Sequence, residues 1–378
     1  MSILVIQLYT VLFRVSFLFL VCACLLSPAV SSAQKKSAKK ASSEKKKTPF
    51  SPSPLFKDDD ILHFKLAGKL NSLFNDRSDN SGSHPMSLKY KEKDSTVTLD
   101  LMVKTRGNFR RDKNMCKMPP LMLQFLKANK LKNTVFAKQK KLKLVVPCQG
   151  DDYVIKEWLV YKLYNLVTEK SFRARLAQVE FEDSLMKRKT ETHYCILLED
   201  DKEVAERNNA FVYDRPKIAM TNTDKNEFMK MAVFQFMIGN TDWSVPYLQN
   251  IKLISRDSTK PSYTVPYDFD HAGIVSAPYA LPAEELEMSS VQERRYRGYC
   301  EADKNNFAEV FALYNRLKND IYNVYTNCSL LDAKYIKFVT KYLDDFYKII
   351  NNPKSVEQEF GHPCRQEVRI EIQGLKKR

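Results

Sequence analysis

The stretch 151–167, DDYVIKEWLVYKLYNLV, constrains the fold of this 378-residue chain more than any other. Ile155, Leu159, Leu163 and Leu166 form one stripe at helical spacing. Trp158, Val160, Tyr161, Tyr164 and Val167 cover most of the remaining circumference. A helix apolar nearly all round has no solvent face of its own, so other elements must enclose it on several sides. Glu157 sits within it, at i−4 and i−7 from Tyr161 and Tyr164. A carboxylate in that position either finds a buried partner, because an unpaired buried charge is costly, or reaches water between the rings.

The surrounding pattern says what encloses the helix. Strands are expected over 86–91 and 96–105 as a hairpin, the second with Val97, Leu99, Leu101 and Val103 at period two. Two more are expected over 120–126 and 141–146, ahead of a helix capped by Asp151 or Asp152, and a further pair over 173–182 and 192–199. The second half turns helical. One helix starts at Thr223 or Asp224 and is stopped by Gly239 as a left-handed cap, and others are expected over 304–325 and 332–350. Strands early and helices late predict an α+β fold in two lobes sharing a cleft.

Residues 1–33 read as an export signal. The apolar run 15–30 follows Arg14, is short for a membrane span, and leads to Ser31 and Ala33 at the −3 and −1 positions of a small-residue cleavage site. An uncleaved anchor through 15–30 is the alternative. Residues 34–54 hold seven lysines and one glutamate, +6 of the formal +16 of the whole chain. Without apolar periodicity this stretch cannot bury enough surface to fold, so 34–55 reads as a linker, or more sharply as an attachment to an anionic envelope surface. The remaining positive charge is spread rather than clustered, which argues against nucleic acid as partner. Eight cysteines occur, six of them beyond the signal: Cys116, Cys148, Cys195, Cys300, Cys328 and Cys364. An even number without CxxC or a Cys/His cluster suits disulfides rather than zinc. Cys116 precedes one expected strand and Cys148 ends another, so these two are expected to pair.

The chemistry concentrates in GNTDWSVPYLQNIKLISRDSTKPSYTVPYDFDHAG, residues 239–273. Two strands flanking RDSTKPS make a hairpin centred on Thr259. In that register Asn250 opposes Asp268, close enough for an amide oxygen and a carboxylate to share a hard cation. Asp242 lies in the loop feeding the first strand and Asp270 just past the second. From composition alone, ordinary turn-forming residues are the favoured account of this segment, and a one-residue slip would part Asn250 from Asp268.

The order Asp, loop, Asn, strand, turn, strand, Asp resembles the catalytic and metal loops of kinase-like folds. GNTDWSVPYLQN followed by YTVPYDFDHAG is similar to the CotH spore-coat kinase family, and RGNFRR at 106–111 resembles that family's R-G-N motif. The resemblance implies a kinase-like domain over 56–378, with a strand-rich lobe to about 200 and a helical lobe beyond. It implies Asp242 as the catalytic carboxylate and Asn250, Asp268 and Asp270 as ligands of Mg²⁺ or Mn²⁺. It places ATP or another nucleotide near Arg106, Glu157 and one of Lys117 or Lys143. Here the chain departs from the family, lacking the Ser of R-G-N-x-S and inserting Pro119 and Pro120. The implied activity is transfer of a γ-phosphoryl group to a hydroxyl of a secreted or surface protein, outside the cytoplasm. The alternative is a non-catalytic envelope protein that keeps the fold for binding. No G-x-S-x-G elbow or H-E-x-x-H occurs, and His271 beside Asp270 reads as structural.

Overall fold

A computed structural model describes residues 51–126 and 128–365. The expected signal segment and the lysines of the linker lie outside the described residues. Seven strands make a closed barrel: β1 (Leu62–Gly68), β2 (His84–Glu92), β3 (Ser95–Thr105), β4 (Leu121–Phe125), β5 (Lys141–Val145), β6 (Ala174–Asp183) and β7 (Glu191–Leu198). Neighbours run β1-β2-β3-β4-β5-β7-β6, and β6 pairs with β1 in parallel to close the ring. β1 falls outside the strands expected from sequence, although Leu62, Phe64 and Leu66 alternate at period two and point inward. Lys65 fixes the closure from outside, reaching Glu180 at 2.9 Å and Glu182 at 2.6 Å. The end of the expected linker is also part of the fold: Leu55 is fully buried in a 3-10 turn over Pro54–Phe56, and its carbonyl accepts from Arg175.

Alternation then assigns two cores. Leu88, Leu101, Val103, Leu123, Val179 and Leu197 fill the barrel. The opposite faces of the last strands, with Val145, Leu176, Ile196 and Leu198, pack on a helix, α3 (Asp151–Val167). This is why β7 reads as the unbroken apolar run CILL: it is buried on both faces. α3 follows two short helices, α1 (Leu70–Asn75) and α2 (Ala128–Leu131). It occupies the span expected for it, and its other sides meet the later helices. Its cap differs from expectation. Gly150, at φ 132°, takes the N-cap position, and the Asp151 carboxylate instead accepts from the Tyr194 N–H at 3.1 Å and contacts the His193 ring.

The rest is mostly helical, giving a mixed α+β fold: α4 (Asp201–Arg207), α5 (Lys225–Ile238), α6 (Ala308–Arg316), α7 (Lys318–Thr326), α8 (Ala333–Ile350), α9 (Pro353–Phe360) and α10 (His362–Arg365). A three-stranded sheet lies among them, in the order β10-β9-β8, with β8 (Phe211–Val212), β9 (Ile251–Ser255) and β10 (Tyr263–Pro266). Asp224 caps α5 by accepting from the Glu227 N–H, and Gly239 ends it at φ 66°. The helix expected over 304–325 is two helices that break at Leu317 (ψ 0°). The apolar stripe Val310, Tyr314, Leu317, Ile321, Tyr325 runs through that break without a phase change, so the sequence pattern could not mark it. Among the described residues no helix is long and apolar enough to cross a membrane.

Among the described residues two disulfides are formed. Cys116–Cys148 has the expected pairing, with Cα atoms 4.4 Å apart, and Cys300–Cys364 is the second. Cys195 and Cys328 are free thiols. The first bridge ties the segment after β3 to the segment entering α3 across 32 residues. Closing a loop of that length contributes about 3–4 kcal/mol, mainly by restricting the unfolded chain. The Cys116→Ser/Cys148→Ser variant is therefore expected to lose about that much stability in urea unfolding. A loss under about 1 kcal/mol would show that the bridge adds little to the fold.

Candidate active site

The site is built where α3, the turn after β3 and the β9–β10 hairpin meet. After Thr105 the chain leaves the barrel, and Gly107 at φ 85° turns it into a short 3-10 segment, Phe109–Arg111. This sends two adjacent arginines opposite ways. Arg111 turns to Asp79 and to the carbonyl of Ser78. Arg110 turns inward, donates to the Val146 carbonyl at 2.6 Å, and lies 3.5 Å from both Glu157 and Asp270. Glu157 is 1 % exposed, which decides between the two readings of its position: it is buried with a partner. Burial pushes its carboxyl well above the usual range, with the Arg110 guanidinium as the main opposing influence and Asp270 and Asp268 adding to the rise. Arg110 Nε and Glu157 Oε1 find no hydrogen-bond partner.

The hairpin register differs from expectation by one residue. Tyr263 pairs with Ile254 and Pro266 with Ile251, so Asn250 faces Tyr267 rather than Asp268, and the Tyr267 N–H donates to the Asn250 carbonyl at 3.0 Å. A regular ladder in this register would send Asn250 and Asp268 to opposite faces. Both instead leave the ladder in the left-handed region, Asn250 at φ 50° and Asp268 at φ 63°. Asn and Asp tolerate that region better than other side chains, at a cost of about 1–2 kcal/mol each. The Asp268 N–H donates to the Tyr161 hydroxyl of α3 at 2.9 Å, which holds the kink.

The kinks bring the acidic groups together. Asn250 Nδ2 donates to both the carbonyl and the carboxylate of Asp242, each at 2.9 Å, and Gln249 Nε2 reaches the other carboxylate oxygen at 3.4 Å. Asn240 Oδ1 accepts from the Asp242 N–H at 3.1 Å and closes the loop from the α5 side. Asp270 accepts from Tyr279 at 3.1 Å. Asp268 is pushed up to about 6 by burial and then by Asp270, with Arg110 and Arg106 opposing and Asp242 adding to the rise. Burial likewise raises Asp242, against the influence of His271. The site therefore holds more negative charge than its arginines offset. Gly239 and Gly273 let the loops approach. A Cβ on Gly239 would meet the Tyr342 hydroxyl at 2.1 Å, and one on Gly273 the Val291 carbonyl at 2.2 Å. His271 is buried, with its ring edge-on to Phe109 and Tyr279.

The two candidate lysines are placed differently. Lys143, on β5, lies over the Tyr267 ring at 5.0 Å and is pulled down to about 8, first by burial and then by Arg106. Arg106 acts on both Lys143 and Asp268, while the carboxylates that act on Lys143 are Asp201 and Asp200 at the start of α4. Lys117 is exposed on the rim of a different cavity, with Asp151, Arg188 and His193.

Sequence reading missed Arg110 as the cation facing Glu157. Nothing in RGNFRR says which of two neighbouring arginines turns inward. Among the described residues no three His, Cys, Asp or Glu side chains enclose a metal position by themselves. The Asp268 carboxylate with the Asn250 amide oxygen is nevertheless a donor set of hard oxygens. It suits Mg²⁺, which is commonly held by one or two protein oxygens and completes its shell with water and substrate phosphates.

Comparison with known proteins adds little. No family model matches the chain, and no curated protein matches it. The crystal structure of CtkA, a proinflammatory kinase of Helicobacter pylori, aligns over 62 % of this chain and 89 % of its own, at 14 % identity and a TM-score of 0.38. A likeness at that level carries no weight for fold or activity.

The buried triad gives a stability test. Arg110→Met is expected to cost about 3–5 kcal/mol, because it leaves Glu157 and Asp270 buried without a cation. Adding Glu157→Gln should then restore part of the loss, a coupling visible in a double-mutant cycle by denaturant unfolding. Strictly additive losses would mean that the two side chains do not interact.

Proposed function

We propose that the chain is an exported phosphotransferase of CotH-like, two-lobed kinase type. In this reading it moves the γ-phosphoryl group of a nucleotide to a hydroxyl of a secreted or surface protein. The observation that carries the reading is the pair of left-handed kinks at Asn250 and Asp268. Backbone held in sparsely populated conformations concentrates at functional sites, and here it sets an amide and a carboxylate beside Asp242 and Asp270 in a site short of positive charge.

In this proposal Asp268 and Asn250 hold Mg²⁺ or Mn²⁺, and Asp270 is held in place by Arg110 and Tyr279. A bound divalent ion neutralises charge on the nucleotide's phosphates. Lys143 and Arg106 attract those phosphates. Asp242 receives the acceptor hydroxyl. Its Asn250, Gln249 and backbone contacts fix its orientation, and its burial makes it a stronger base than an exposed aspartate. Such catalysis is mostly positioning and charge neutralisation. The export signal expected over 1–33 and the two disulfides among the described residues support an extracytoplasmic site of action, in the periplasm, at the cell surface or secreted. A non-catalytic envelope-binding protein is the second reading. The observation that favours it is that an arginine, Arg110, faces Glu157.

Substitutions at the two carboxylates are expected to fail differently. Asp268→Asn should weaken Mg²⁺-dependent nucleotide binding in calorimetric titration by about tenfold or more, since a charge facing the ion is lost. Asp242→Asn should leave binding within about twofold and lower the transfer rate by about 10²–10⁴-fold. If both variants bind and turn over like wild type, the assignment fails. A pH series tests Lys143. Its ammonium is depressed to about 8, so the charged form is present below that pH and lost above it. Nucleotide affinity should therefore fall as pH rises through about 8, and Lys143→Arg should flatten that fall. An affinity that is level from pH 7 to 9.5 in wild type would remove Lys143 from the phosphate site.

A further inference from the structure

The residue after Asp242 opens onto a second built space. A cavity of about 110 Å³ is bounded by Trp243, Leu286, Arg295, Arg297, Tyr299 and His362 among others. It has room for several waters, which suits one side chain. Its walls are fixed. The Cys300–Cys364 bridge joins the 295–300 wall to the 362–363 wall, with Cα atoms 4.7 Å apart. Tyr299 stacks on Phe228 with ring centroids 4.9 Å apart.

The chemistry of the lining is one-sided. Its charged side chains are Arg295 and Arg297, with His362 beside them, and no carboxylate lines it. Arg295 donates to His362 Nε2 at 3.1 Å. Arg297 donates to the Trp243 carbonyl at 2.7 Å and to the Thr241 carbonyl, and its guanidinium lies 5.3 Å from the Trp243 ring centre. The acidic groups acting on these arginines lie outside the lining: Asp242 and Glu285 on Arg297, and Glu293 and Glu359 beside Arg295. Burial draws Arg297 down to about 10 despite Asp242 and Glu285. Trp243 is 2 % exposed, lines the cavity, and its indole N–H has no acceptor. Two guanidinium groups around a small, partly apolar space fit a carboxylate on a short stem.

We infer that this cavity receives an acidic side chain of the acceptor polypeptide, near the hydroxyl presented to Asp242. The inference rests on the phosphotransferase reading for the role of Asp242, and it names the acceptor class: a hydroxyl residue with an Asp or Glu nearby. Arg297 grips the carbonyls on either side of Asp242, so filling the cavity also bears on the loop that positions that carboxylate.

Serine peptides carrying Glu at each of the three positions on either side of the serine, and their Gln counterparts, test this. Binding to the mature full-length chain is read by peptide fluorescence anisotropy without nucleotide. One Glu position is expected to bind at least about tenfold more tightly than its Gln twin, with the preference fading as salt rises. Arg295→Ala should abolish the preference and Arg295→Lys should keep part of it, with thermal melting confirming that both variants fold. Equal binding of every Glu and Gln pair by wild type overturns the inference, as does a preference that survives Arg295→Ala. A Glu preference without nucleotide binding keeps the cavity assignment and removes the phosphotransferase reading. Nucleotide binding without a Glu preference does the reverse.

Discussion

Arg110 buried between Glu157 and Asp270 is the contact on which the rest of the site depends. It joins three parts of the chain that are far apart in sequence: the turn after β3, the helix α3, and the segment after β10. Each carboxylate would be prohibitive in an apolar interior alone, and one guanidinium makes both tolerable. The Cys116–Cys148 bridge lies just beyond this turn and ties it to the entry of α3, while the Val146 carbonyl takes another Arg110 N–H. Covalent and ionic constraints therefore act on the same short stretch. Both act next to the contact of α3 with the hairpin, where Tyr161 holds the Asp268 kink.

From that junction the charge distribution follows. One inward guanidinium neutralises part of the acidity of Glu157, Asp270 and Asp268, and the remainder is expressed in the raised Asp268 carboxyl. A protein could relieve that excess by holding protons or by binding a cation. Arg106 acts on both Asp268 and Lys143, and the Asp242 loop continues into Trp243, which lines a cavity with two arginines.

Much of this was legible in the sequence, for definable reasons. The all-round apolar character of 151–167 gave the buried helix, period-two alternation gave β2 and β3, and Asp224 with Gly239 bounded α5, because each signal is local. What escaped is nonlocal or geometric. Closure of the barrel depends on β1 lying parallel to β6, more than a hundred residues away, which no window of sequence displays. The hairpin register differs by one because the sequence does not show the geometry of the turn, and Asn250 and Asp268, which a regular ladder would part, both leave it in left-handed backbone. Asn and Asp are the residue types that permit such kinks, so their presence was a signal, but one shared with ordinary turns. Which of Arg110 and Arg111 turns inward is set by the Gly107 turn and has no counterpart in composition.

The central claim is that Asn250 and Asp268 hold a divalent ion together with nucleotide. Water-proton relaxation by Mn²⁺ tests it most directly, because a Mn²⁺–nucleotide complex tumbles more slowly once it is bound to protein. The account predicts that adding wild-type protein to Mn²⁺ and nucleotide enhances relaxation saturably, and that Asp268→Asn removes most of the enhancement while the protein stays folded. No enhancement with folded wild-type protein, or an enhancement unchanged in Asp268→Asn, would contradict it.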